Sequence, residues 1–242
     1  MRRIATGTPE DELASARAAF PDLTVEVRNG SLVVRPEGPR RALSTAAWNG
    51  GLMDGPLVLV NHHFPSAYHP PHGPPEGDIH AYVHRVVREL GLAFEQTILL
   101  MTGVRMDNLA VEVGAHRNLA VAVLVTAGVE TNAMRAGDPA TQVEEAGVFQ
   151  PVGTVNTILL VNAAMPVGVM AQALIVAAEA KAAAFQELGV ASRASAGIAT
   201  GTGTDVAAVV SDPTSALRLT YAGGHAKVGE LLAATTRRAI RR

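Results

Sequence analysis

The 242-residue sequence predicts a mixed α/β (α+β) fold: an N-terminal hairpin over 20–45, then two related strand-helix-strand-strand-strand-helix halves, about 55–145 and 153–240. The halves are expected to pack about a pseudo-twofold axis within one domain, 1–242. Three observations predict this. Runs of period two alternate with runs of helical period. Hydrophobic side chains make up 48% and charged ones 17%, the balance of a globular chain with a sizeable core. Finally, 89–111 set over 187–209 without a gap matches at nine of 23 positions, and an internal match in register suggests duplication.

Each element has a local reason. LTVEV (23–27) and SLVVR (31–35) alternate around Asn29-Gly30, a pair suited to a type I′ turn, so the chain is expected to open with antiparallel strands. Short strands follow at 42–45 and 56–60, then a loop from His62 to Gly77 rich in Pro, His and Gly. Asp78 can cap a helix to about Leu90, with Ile79, Tyr82, Val83, Val86, Val87 and Leu90 on one face and Gly91 stopping it. Strands are expected at 97–102, 109–113 and 119–125. The second half begins with a strand at 154–162 and an alanine-rich helix to Leu188, and a last helix runs to about Ile240. In the repeat, Leu59-Val60-Asn61 mirrors Leu160-Val161-Asn162, and the 102–107 loop with Asp107 answers the 200–205 loop with Asp205.

Composition excludes several chemistries. With no cysteine there is no disulfide, zinc-thiolate site, iron–sulfur cluster or thiol nucleophile. Twenty basic residues against 22 acidic ones leave no excess positive charge for nucleic acid. The N-terminus lacks the apolar run of a signal peptide, and Glu179 and Lys181 interrupt the longest apolar helix, so a cytoplasmic protein without a membrane partner is expected.

The string ATGTGTD (199–205) is the most unusual. Its glycines allow close backbone approach, and its N–H groups and threonine hydroxyls could hold an oxyanion, phosphate or amide carbonyl; the same residues also suit a tight turn. Glu179 and Lys181 stand two apart, hence on different faces, so at most one faces a pocket. Glu179 is expected to share the cleft of the 200–205 loop, because a lone charge among alanines needs water or a polar pocket. His62, His63, His69, His72, His80 and His84 cluster, and the i, i+4 pair His80/His84 could bind a metal, but without an HExxH pattern exposed helix histidines are the better reading and no metal site is expected. His225, after Ala222-Gly223-Gly224 and before a helix, is a candidate acid/base group.

Taken together, 43–51, 125–138 with TAGxxxNAxRAGD, 153–162 with GTVN, 179–189 with EAKxAA, 199–205 and 221–232 resemble the adenosylcobinamide amidohydrolase family. The resemblance implies hydrolysis of the amide joining the aminopropanol arm to the corrin ring, giving adenosylcobyric acid for cobamide salvage. It implies a corrinoid substrate that brings its own cobalt, so that no further cofactor is required, and it leaves a homodimer open. Such chemistry needs a polarised carbonyl, an activated nucleophile and a protonated leaving amine. In that frame Glu179 or Asp205 activates water or a threonine hydroxyl, and His225 or Lys181 protonates the amine. Thr200, Gly201, Thr202, Gly203 and Thr204 hold the oxyanion and substrate, and Asn132, Asn156 and Asn162 bind peripheral carboxamides. A threonine nucleophile exposed by self-cleavage is a further reading, as is a duplicated scaffold that binds a corrinoid or nucleotide without turning it over.

Overall fold

The computed structural model describes residues 8–68, 73–140 and 154–242. Its first element is a helix, not a strand. α1 (Pro9–Ala19) starts at Thr8, which exchanges hydrogen bonds with Asp11 in a capping box, and Pro9 sits where its missing N–H is harmless. The expected hairpin follows: β1 (Leu23–Arg28) pairs antiparallel with β2 (Ser31–Pro36) around Asn29 and Gly30, both at positive φ. Next come β3 (Arg40–Ser44), β4 (Gly51–Gly55) and β5 (Val58–His63). α2 (Ile79–Glu89) is capped by the Asp78 side chain and ends before Gly91, at φ 63°. Then follow β6 (Thr97–Thr102), β7 (Leu109–His116), β8 (Leu119–Ala127) and the two-residue β9 (Ala133–Met134). The last elements are β10 (Val155–Val161), α3 (Val167–Leu188), the two-residue β11 (Gly201–Thr202), β12 (Val206–Ser211) and α4 (Lys227–Arg241).

Two sheets face each other between helices. One has the order β1-β2-β5-β6 and the other β4-β3-β12-β10-β8-β7, while β9 and β11 form a small separate ribbon. Alternation along each strand sends one set of side chains inward and the other outward. Leu32, Leu59 and Ile98 of the first sheet meet Leu124, Ile158 and Val210 of the second in the central core. The other face of the four-stranded sheet packs on Val83, Val86 and Val87 of α2. The outer face of the six-stranded sheet packs on α3 and α4, with Val123, Leu159 and Val209 against Ala173, Ala177 and Leu232.

By length and hydropathy alone α3 could cross a membrane. Here it lies along the six-stranded sheet, burying the stripe Val169, Ala173, Val176, Ala180 and Ala184. Alanines on that stripe let helix and sheet approach closely, and Gly189 closes the helix in the left-handed conformation at φ 63°.

β1-β2-β5-β6 and β7-β8-β10-β12 share strand order and direction, but the gap-free match of 89–111 over 187–209 does not set their equivalent strands over each other. β5 and β10 each begin a parallel strand-helix-strand unit, but the partners are β6 and β12, whereas the gap-free match sets β7 over β12. β7 pairs antiparallel with β8 at a sheet edge. Asp107 lies on an exposed 3-10 turn, ion-paired to Arg105, while Asp205 is half-buried before β12 and paired to Lys181. The segment aligned with β6, residues 195–200, is not a strand. Gly, Ala and Thr, common in this chain, supply five of the nine matched positions.

Candidate active site

Polar side chains gather where β10 and β12 begin. The strands run parallel with Asn156 opposite Val206, so both starts lie at one end of the sheet. α3 returns from the far end. Fourteen residues of helix cover about 21 Å, close to the roughly 23 Å of a seven-residue strand, which brings Lys181 level with the strand starts.

There Lys181 Nζ donates to Asp205, the two side chains being 16% and 17% exposed. Asp205 also accepts from the Thr202 hydroxyl, from Thr202 N at 3.0 Å and from Val155 N at 3.0 Å. One carboxylate thus ties the loop, the helix and the middle of the sheet together, and its ionised form is the one that four donors satisfy. Gly201 makes room for this: a Cβ there would run into the Asp205 carboxylate and come within 2.8 Å of Lys181 Nζ. Thr200 Oγ1 accepts from Ala136 N at 2.9 Å, and β11 pairs with β9, so the 200–205 loop is also fastened to 133–136.

Glu179 does not share this site. It is exposed on the opposite side of α3, and its neighbour-but-one Lys181 points inward. The two-residue offset separates them as expected, but burial selected the lysine, whose long stem can pack along the alanine stripe while its ammonium reaches a carboxylate. His225 is exposed in the connection before α4, and no hydrogen bond among the described residues joins it to the loop.

The three asparagines divide. Asn162 lies six residues beyond Asn156 along the strand, about 20 Å away. Its Oδ1 accepts from Ala120 N and its Nδ2 donates to Asn118 O, beside a small cavity lined by Phe20, Arg40 and Asp212. Asn156 is buried and joins the two sheets, donating to Asn61 Oδ1 at 2.7 Å and to Met101 O at 2.8 Å, while Asn61 donates to Thr126 Oγ1. Asn132 alone has capacity to spare. Its Oδ1 and Nδ2 are shielded from solvent yet have no hydrogen-bond partner among the described residues, and its amide lies over Gly203. A shielded carboxamide with neither end paired carries a free-energy cost that a complementary ligand would relieve.

The histidine cluster has other uses. His62 and His63 belong to β5, and His69 and His72 lie outside the described residues. His62 is buried, with Nδ1 2.7 Å from Ser31 Oγ and Nε2 2.7 Å from Tyr82 OH; burial drives its pKa down to about 4. His80 packs edge-on to Trp48 and His84 stacks on Phe94 with centroids 4.0 Å apart. Among the described residues no three His, Asp or Glu converge as a metal site.

Two residues absent from the sequence-derived set belong to the site. Asn61 reaches it from the other sheet, and Thr154, at the entry to β10, donates its hydroxyl to Thr204 O at 2.6 Å. The string GTVN held the only signal for Thr154.

The family model for adenosylcobinamide amidohydrolase matches residues 18–242. The chain belongs to the adenosylcobinamide amidohydrolase family. This amidohydrolase is also 39% identical over 172 residues to an uncharacterized protein of Methanocaldococcus jannaschii, covering 66% of this chain and 67% of that one. Looser likenesses link the amidohydrolase to solved structures. The PH0078 protein of Pyrococcus horikoshii gives a TM-score of 0.42 at 11% identity, over 90% of this chain and 77% of that one. The L-aminopeptidase D-Ala-esterase/amidase of Ochrobactrum anthropi, described as a variant of the Ntn hydrolase fold, gives 0.38 at 14%, over 91% and 81%. Neither likeness bears on the chemistry.

Proposed function

We propose that the protein hydrolyses the amide between the aminopropanol arm and the corrin ring of adenosylcobinamide, giving adenosylcobyric acid for cobamide salvage. The observation that carries this reading is the family match across nearly the whole chain. The site's chemistry supports it. Amide resonance must be broken, so a nucleophile has to be placed against a polarised carbonyl and the amine supplied with a proton. Lys181, held on Asp205, is the proton donor in this reading, and the 201–204 backbone with its threonines lines the carbonyl. Asn132 is the group that reads a peripheral carboxamide, since its Oδ1 and Nδ2, without partners among the described residues, offer one acceptor and one donor side by side. Cobalt arrives with the corrinoid, and no further cofactor enters the proposed reaction.

Purified protein mixed with adenosylcobinamide should release aminopropanol and leave a corrinoid with one new carboxylate, both read by mass spectrometry. Tight corrinoid binding without aminopropanol would replace this reading with that of a carrier.

A further inference from the structure

Several threonine hydroxyls stand around the Lys181–Asp205 pair, and their hydrogen-bond polarity sorts them. Thr200 Oγ1 accepts an N–H, from Ala136. Thr202 Oγ1 is held between the Asp205 carboxylate, to which it donates, and Thr204 N, from which it accepts at 3.5 Å. Both fasten the loop. Thr154 has the opposite character: its hydroxyl donates to Thr204 O at 2.6 Å, with Asn156 Oδ1 at 3.3 Å as a second acceptor, and it takes no hydrogen bond from any described residue. Giving its proton toward acceptors while keeping its lone pairs uncommitted is the state of a hydroxyl ready to attack.

Position adds to polarity. Thr154 enters β10, which lies between β8 and β12, and its carbonyl accepts from Gly128 N at 3.1 Å. The next residue, Val155, gives its N–H to Asp205. A hydroxyl directly before a paired inner strand, its carbonyl already bonded to the neighbouring segment, is placed more narrowly than one on a loop, which a bond-forming contact demands. Thr154 is itself buried, beneath the half-exposed Thr204 whose carbonyl it touches, so a substrate carbonyl reaches it by displacing that contact.

We propose that Thr154 is the nucleophile of this amidohydrolase; the proposal rests on the reaction put forward above. Thr154 Oγ bonds to the carbonyl carbon of the arm amide and the C–N bond breaks. Lys181 protonates the departing nitrogen and regains a proton from the Thr154 hydroxyl, so aminopropanol leaves as a neutral amine and the corrin acyl group remains as an ester on Thr154. Water then attacks the ester, the C–Oγ bond breaks, Thr154 recovers its proton, and the corrinoid leaves as a carboxylate with one proton released to solvent.

The chain's lack of cysteine makes the test clean. Thr154→Val, Thr154→Ser and Thr154→Cys are compared with the unmodified chain for aminopropanol release from adenosylcobinamide, for corrinoid co-elution and for covalent mass after an acid stop. Thr154→Val should keep its circular dichroism and bind the corrinoid, yet turn over on the order of 1,000-fold more slowly, while Thr154→Ser stays within about tenfold. Thr154→Cys should carry a corrinoid thioester at its single thiol, removable by hydroxylamine. Turnover by Thr154→Val within about tenfold of the unmodified chain would overturn the proposal. Should that variant not fold, Thr154→Cys turning over without any adduct would do so. Failure of the unmodified chain to release aminopropanol removes the underlying reading itself, and this proposal with it.

Discussion

At the scale of single residues, the Lys181–Asp205 pair and Asn132 carry opposite expectations for stability. Asp205→Asn leaves Lys181 charged and without its carboxylate partner in a mostly buried place, and breaking such a pair costs about 3 kcal/mol. The variant should therefore melt lower in a thermal scan and lose turnover together. Asn132→Ala removes a carboxamide that lacks partners among the described residues. Its melting temperature should hold or rise while KM for adenosylcobinamide increases about tenfold. A destabilised Asn132→Ala with unchanged KM would show that the amide serves the fold. Glu179→Gln, on the exposed side of α3, should leave turnover within about twofold and stability within about 0.5 kcal/mol.

Among the elements, the contact between β5 and α2 sets a pH dependence. His62 of β5 is held neutral between Ser31 and Tyr82, with a folded pKa of about 4 against an ordinary value of 6.5. Between those values the unfolded chain binds a proton that the folded chain refuses, so stability present above about pH 6.5 is lost as pH falls toward 4. The full span is worth about 3 kcal/mol. Urea midpoints at pH 7.5 and pH 4.5 should differ accordingly, and His62→Gln should flatten that difference. An equal slope in His62→Gln would assign the acid lability to the carboxylates.

On the scale of the whole molecule, the two sheets are joined at their polar end by the Asn61–Asn156 amide pair, with Met101 O and Thr126 Oγ1 as outer partners. In the central core the facing sheets meet through aliphatic side chains such as Leu32, Leu59, Leu124 and Ile158. Asn156→Ala strips Asn61 Oδ1 and Met101 O of their donor in a buried place, costing about 2 kcal/mol or more. The site stands on this joint, so the variant should lose turnover beyond what its stability loss explains, measured well below its melting temperature. Proportionate loss of the two would make the joint purely structural.

What the sequence determined by itself is local. Strand alternation, the Asn29-Gly30 turn, the Asp78 cap and the Gly91 stop each depend on neighbours a few residues apart, and β6 and α3 lie at the bounds that pattern predicts. The Thr8-Asp11 capping box is equally local, and the helix it starts lies in a polar stretch where no element was expected. The family too was legible, because its motifs are strings. Only the tertiary structure decided which charge on α3 turns inward, since periodicity separates Glu179 from Lys181 but does not say which face meets the sheet. It also decided that Asn156 is committed to Asn61, 95 positions away, while Asn132 has no hydrogen-bond partner among the described residues. Hydrogen-bond partners far apart in the chain leave no periodic trace, so spacing alone could not distinguish asparagines that hold the sheets together from one free to meet a ligand. The gap-free match set non-equivalent strands over each other for the same reason: matching residue types fix neither strand partners nor direction, and these are settled by which faces bury together.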